Sequence, residues 1–137
     1  MADILTTGVV WKDGLVFEAG FEKAKPVAIT GKKELDKTAG AWSPVHMLVA
    51  AAEDCFALTF FKMAEKFHVK VTSYRSEAKA TLDAPDGKHF AITSITINPK
   101  IGLENEADRP KLQSIFEKVE EYCPVGNTLK VKIVAIV

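Results

Sequence analysis

Ser43–Phe67, SPVHMLVAAAEDCFALTFFKMAEKF, is the stretch on which the fold turns. It reads as one long, mostly apolar helix carrying Cys55 near its middle. Ser43 suits the N-cap, where its hydroxyl can accept from a first-turn N–H, and Pro44 suits N1, where a missing N–H leaves nothing unpaired. Between Met47 and Met63 there is no Gly or Pro, and only Val49 and Thr59 are β-branched. Apolar residues occur nearly all round, the pattern of a helix covered on several sides. At about 1.5 Å per residue it would reach roughly 37 Å, long for a globular helix. Glu53, Asp54 and Lys62 interrupt it, whereas a bilayer span needs about 20 apolar residues in a row, so it is not read as a membrane helix. In a small chain such a helix requires cover from a sheet or a second subunit.

Upstream, Leu5–Trp11 and Leu15–Ala19 are rich in β-formers and flank Lys12-Asp13-Gly14, whose Asp-Gly is a tight-turn signal. Pro26–Thr30 offers a third short strand, and Lys32–Trp42 reads as a loop into the helix. Downstream, Val69–Leu82 alternates, with Thr72, Tyr74, Ser76, Ala78, Ala80 and Leu82 on one parity, and predicts a long half-buried strand. Ala84-Pro85-Asp86-Gly87 is turn chemistry, and Phe90–Ile101 returns as the antiparallel partner, with Pro99 marking an edge or a break. Leu112, Ile115, Phe116, Val119 and Tyr122 form the apolar stripe of a second helix, Asp108–Tyr122, with Asp108 as its cap and Pro110 in its first turn. Cys123-Pro124-Val125-Gly126 ends that helix, and Leu129–Val137 is a final, well-covered strand. Hairpins with helices between them indicate an α+β fold.

The 137 residues fit a single domain, 1–137, large enough for a real core. Eighteen basic and eighteen acidic residues balance, so neither a nucleic-acid nor an anionic-membrane surface is expected. The opening MADILTTGVVWKDG has no basic n-region followed by an apolar run, so no signal peptide is read and a cytoplasmic location is expected. In that compartment two cysteines rest as thiols unless they carry redox chemistry. Taken singly, Cys55 and Cys123 each fit the role of a small buried hydrophobe. No CxxC pair is present and His46, His68 and His89 are scattered, so no metal site is expected, and nothing asks for a cofactor. A redox pair meeting in space is the reading in which both cysteines have work to do.

The order of elements, SPVHMLVAAAEDCF and the downstream Cys-Pro-Val-Gly-Asn-Thr-Leu resemble the OsmC/Ohr family of osmotically inducible and organic hydroperoxide resistance proteins. The resemblance runs over nearly the whole chain. It implies an intertwined homodimer in which antiparallel sheets wrap around long central helices, which would give the apolar helix its cover. It also implies that Cys55 is the peroxidatic cysteine and Cys123 the resolving one. A Cys55 thiolate would attack the distal oxygen of a small hydrophobic peroxide, and Cys123 would convert the sulfenic acid to a Cys55–Cys123 disulfide. A dithiol reductant, a lipoyl-type group or a small thiol, would then open that disulfide.

Two positions depart from the family pattern. A free thiol titrates at about 8.5, so a peroxidatic cysteine needs a positive neighbour. Family peroxidases take an arginine from the first hairpin turn and orient it with a glutamate just after the helix-opening proline. Here Lys12 stands in the matching turn, Val45 stands at the glutamate position, and Arg75 and Arg109 are the only arginines. Lysine supplies charge without the planar two-point contact of a guanidinium. At about 100° per residue, Glu53 lies roughly 160° round the helix from Cys55, and His46 is also on the far face. The site residues expected from the resemblance are therefore Cys55, Cys123 and Lys12. Three readings stay open: a hydroperoxide reductase, an OsmC-like dimer that binds a hydrophobic ligand without turnover, and a slow thiol switch.

Overall fold

An Asp-Gly pair reverses the chain at the first hairpin, as its sequence predicts. In the computed structural model, which describes residues 2–137, β1 (Gly8–Asp13) and β2 (Val16–Gly20) pair antiparallel on either side of Gly14. Gly14 takes φ +51°, a left-handed conformation that glycine adopts without a Cβ penalty. The Trp11 indole N–H donates to Gly14 O at 2.9 Å and closes the turn. β3 (Val27–Ile29) adds antiparallel to β2. Lys32–Lys37, read as loop, forms a 3-10 segment that opens with Glu34 N–H donating to Gly31 O at 3.0 Å. These elements belong to a first unit ending at Leu48, and a second unit runs from Val49 to Val137.

Ser43 caps α1 (Pro44–Lys66) as expected: its buried Oγ accepts from His46 N–H at 3.1 Å and also pairs with His46 Nδ1 at 2.5 Å. Within the second unit α1 buries Ala52, Phe56, Thr59, Phe60, Met63 and Ala64, a stripe at spacings of three and four. Leu58 and Phe61 remain 66% and 44% exposed, so the all-round apolar composition is covered on one face within this chain. The helix stops where His68 turns left-handed at φ +57° and Val69 N–H donates back to Ala64 O at 2.9 Å.

β4 (Val71–Asp83) and β5 (Ala91–Leu103) form the expected antiparallel hairpin. In their turn, Asp86 Oδ1 accepts from the N–H groups of Lys88 and His89. The His89 side chain, followed by those two N–H groups, holds the Asp86 carboxyl down at about 2. Tyr74, Ser76 and Ala78 are half-buried between exposed neighbours, as the alternation predicts. Pro99 does not break β5. It pairs with Ser76 on the β4 side, and strand alternation turns its N–H-less nitrogen toward β6, which reaches only as far as Ile97.

Three expectations at the C-terminal end are corrected. The second helix, α2, spans Leu112–Tyr122 and does not start at Asp108. Asn105 instead caps a 3-10 segment, Glu106–Lys111, by accepting from Ala107 N–H at 3.0 Å, and Asp108 pairs with Lys111. Pro110 disfavours the α conformation at Arg109, which delays the α-helix. Next, Cys123-Pro124 ends α2 but also opens a short α3 (Pro124–Thr128), with Pro124 in the first turn. Last, the final strand is only β6 (Ile133–Ala135), and Val134, Ile136 and Val137 are about half exposed or more. β6 runs parallel to β5, because the α2–α3 crossover brings the chain back in the same direction. Ile95, Ile97, Ile115, Phe60 and Val119 form the sealed centre of the second unit, under α1 and α2.

Candidate active site

Cys55 lies half-buried on α1, and Cys123 lies buried at the break between α2 and α3. Extended backbone at Cys123 (φ −74°, ψ 112°) separates the two helices and turns its side chain inward, where it joins the core of the second unit. The fold thereby brings together two residues far apart in sequence: Cys123 Sγ donates to Cys55 Sγ at 3.0 Å. A disulfide has its sulfurs about 2.05 Å apart, so bond formation needs an approach of only about 1 Å.

The two thiols are not equivalent. Burial pushes the Cys123 thiol above its ordinary value, the hydrogen bond to Cys55 adds to the rise, and the N–H groups of Gly126 and Val125 oppose it. Cys123 is thus the protonated partner near neutral pH, matching its role as donor. The raised value has a stability consequence. Stabilisation from Cys123 is full below about pH 8.5, the ordinary thiol value, and falls as pH rises through the higher folded value. Tyr74, also raised by burial, with Ser76 offsetting part of the rise and Glu53 adding to it, contributes a loss of the same sign at still higher pH. In the reduced protein, the urea midpoint should therefore fall between pH 8 and 10 by more in the wild type than in Cys123→Ala. Parallel slopes would contradict this assignment.

Lys12, Glu53, His46 and Arg109 each have a definite partner. Lys12 lies on β1, in the first unit, with Nζ 3.1 Å from Glu18 Oε1. Glu53 accepts from Ser76 Oγ at 2.5 Å and so ties α1 to β4. Asp54 is exposed, so the two adjacent acids are not a buried pair. His46 is part of the Ser43 cap, and Arg109 is held by Glu106 and by Ile101 O. The structure brings Cys55 and Cys123 into contact in the second unit, while Lys12 belongs to the first.

A cavity of about 460 Å³ lies within the second unit, where α2, α3 and β6 meet rather than along α1 alone. Phe56, Phe116, Val131 and Ile133 supply apolar wall, and Cys123 and Gly126 supply the part nearest the thiol pair. The available signal was α3 itself: Pro124 at a helix start places Gly126 beside Cys123. Among the described residues, no three His, Cys, Asp or Glu side chains converge as a metal site would require. No helix among them is long and apolar enough to cross a membrane.

A family model described as OsmC-like protein matches residues 36–136. No curated protein matches the chain in sequence. Among solved structures, an OsmC-like protein of unknown function from Vibrio cholerae superposes with a TM-score of 0.86 at 16% identity, covering 98% of this chain and 99% of that one. An OsmC-like protein from Mycoplasma pneumoniae gives 0.83 at 17%, covering 100% and 97%. The organic hydroperoxide resistance protein OhrB of Bacillus subtilis gives 0.70 at 19%, covering 96% and 98%. At these identities the likeness is one of fold.

Proposed function

The chain belongs to the OsmC-like family, and from that premise we propose that it is a thiol-dependent peroxidase that reduces organic hydroperoxides, with hydrogen peroxide as a second candidate substrate. The observation that carries the proposal is the 3.0 Å contact between Cys55 and Cys123. Neighbours of the same fold named as organic hydroperoxide resistance proteins support it. In this reading the Cys55 thiolate attacks the distal peroxide oxygen. A sulfur–oxygen bond forms, the oxygen–oxygen bond breaks, and the alkoxide leaves as alcohol on taking a proton. Cys123 then attacks the sulfenic sulfur, water leaves, and the disulfide forms. A dithiol returns both residues to thiols.

The reading treats residues 1–137 as a single OsmC-like domain acting in the cytoplasm as a homodimer. Support for the dimer comes from large apolar side chains left open in each unit, Trp11 and Val9 in the first and Leu58 and Phe61 in the second. Lys12 is assigned as the cation that promotes the Cys55 thiolate, in place of the family arginine. The alternative, a slow thiol switch or a ligand-binding dimer without turnover, draws on Lys12 being matched by Glu18 and on Val45 standing where a carboxylate is expected.

Two variants separate these readings. With cumene hydroperoxide, Cys123→Ser should stop at a Cys55 sulfenic acid that dimedone captures, and Lys12→Met should slow that step on the order of tenfold or more. Absence of a dimedone adduct would remove the peroxidase reading. An unchanged rate in Lys12→Met would remove Lys12 from the site.

A further inference from the structure

Cys123 is among the residues that line the cavity between α2, α3 and β6. Cys55 is not among the residues that line it. Gly126 keeps this wall bare: a Cβ there would stand 3.6 Å from Cys123 Sγ and 3.6 Å from Ile133 Cδ1. We propose that this cavity is the entry site for the reductant, an uncharged apolar dithiol, which opens the Cys55–Cys123 disulfide by attacking Cys123 Sγ. The inference rests on the peroxidase reading for its biological setting, but the regiochemistry it states holds for the disulfide however formed.

Shape, charge and leaving-group chemistry agree on this direction. At about 460 Å³ the cavity is within the usual range of small-molecule sites, roughly 300–1,000 Å³. Its polar rim carries Lys130 and Lys132 opposite Glu117 and Glu120, with Lys132 Nζ 3.3 Å from Glu120 Oε1, so the charges offset and favour no ionic ligand. Gln113 and Asn127 add uncharged polar groups, and most of the remaining lining is aromatic or aliphatic, a poor match for a charged peptide thiol. In the first, bimolecular step, attack at Cys55 would expel Cys123 as a thiolate, which burial disfavours. Attack at Cys123 expels Cys55 instead, whereas in the second step the tethered thiol displaces Cys123 intramolecularly as it takes up a proton.

The electrons balance as follows. One thiolate of the dithiol bonds to Cys123 Sγ, and the Cys55–Cys123 bond breaks, leaving its pair on Cys55. The second thiol, after losing its proton to solvent, attacks the dithiol's own sulfur in the mixed disulfide. The bond to Cys123 breaks and Cys123 takes up a proton. The dithiol ends as a cyclic disulfide, two electrons having passed to the protein.

Wild-type protein oxidised with diamide, to form the disulfide without peroxide, is mixed briefly with 2-mercaptoethanol. The reaction is quenched with acid and N-ethylmaleimide and mapped by mass spectrometry. The expected product carries mercaptoethanol on Cys123 and maleimide on Cys55. The reverse pattern overturns the proposal, as does failure of diamide to link the two cysteines. In a second measurement, Val131→Phe, which narrows the cavity, should slow reduction of the disulfide by 1,4-butanedithiol on the order of tenfold or more. Equal reduction rates, in a variant with an unchanged circular dichroism spectrum, would exclude the cavity as the route. If peroxide leaves the wild type unoxidised while the diamide-formed disulfide still opens at Cys123, the peroxidase reading falls and this inference stands.

Discussion

Cys55→Ser should abolish hydroperoxide reduction, with a loss on the order of 10³-fold or more in the rate of peroxide consumption. The chemistry of the step sets the size of the effect. Attack on a peroxide oxygen needs a polarisable anion, and a serine hydroxyl near neutral pH is neither ionised nor soft. Cys123 cannot substitute as the nucleophile, because burial holds it as the neutral thiol. The variant should retain its fold, since Cys55 is half-buried and serine is close to it in volume. Peroxide consumption within a few-fold of the wild type, in a variant with an unchanged circular dichroism spectrum, would mean that the reactive group lies elsewhere.

Phe60→Ala should produce the largest loss of stability, about 3–5 kcal/mol. Phe60 is fully buried, and its ring lies 5.7 Å from that of Phe61 and 5.8 Å from those of Tyr74 and Phe116. It therefore links α1 to both β4 and α2. Removing the ring forfeits its transfer free energy and leaves a void that three anchored neighbours cannot collapse to fill. Domains are commonly stable by only about 5–15 kcal/mol, so the urea midpoint should drop by a large fraction of its wild-type value. A change below about 1 kcal/mol would show that the core repacks freely around the site.

Local chemistry made much of this fold legible. Ser43-Pro44 marks the start of α1, Asp13-Gly14 the first turn, and strand alternation from Tyr74 to Ala78 the long hairpin; each signal lies within a few residues of the feature it specifies. The misplaced boundaries have equally local causes, but with two signals in competition. Asp108 and Asn105 both offer caps, and Asn105 prevails because Pro110 sits where it hinders an α-helical Arg109. Cys123-Pro124 reads as a stop, although proline is also a first-turn residue and begins α3. The Glu53–Ser76 hydrogen bond depends on how α1 crosses β4, which no periodicity encodes.

The site divides along the same line. Neither spacing nor composition could bring Cys55 to Cys123, since their approach depends on the packing of α2 against α1; thiol chemistry in a reducing compartment suggests a redox pair, and family resemblance gives each cysteine its role. No local sequence signal specifies the whole cavity beside Cys123, because its walls come from α1, α2, α3 and β6 together. Lys12 illustrates the opposite hazard. Its position in the hairpin is readable, but its ion pair with Glu18, which stands opposite Val10 on β2, is set by the register and side-chain reach.

Intact-mass analysis of the reduced wild-type protein after one equivalent of cumene hydroperoxide, followed by non-reducing peptide mapping, tests the central claim most directly. The account predicts loss of two hydrogens per chain, an intramolecular Cys55–Cys123 linkage, one alcohol released per disulfide, and full reversal by a dithiol. Both cysteines remaining open to alkylation, or Cys55 advancing to sulfinic acid while Cys123 stays free, would contradict it.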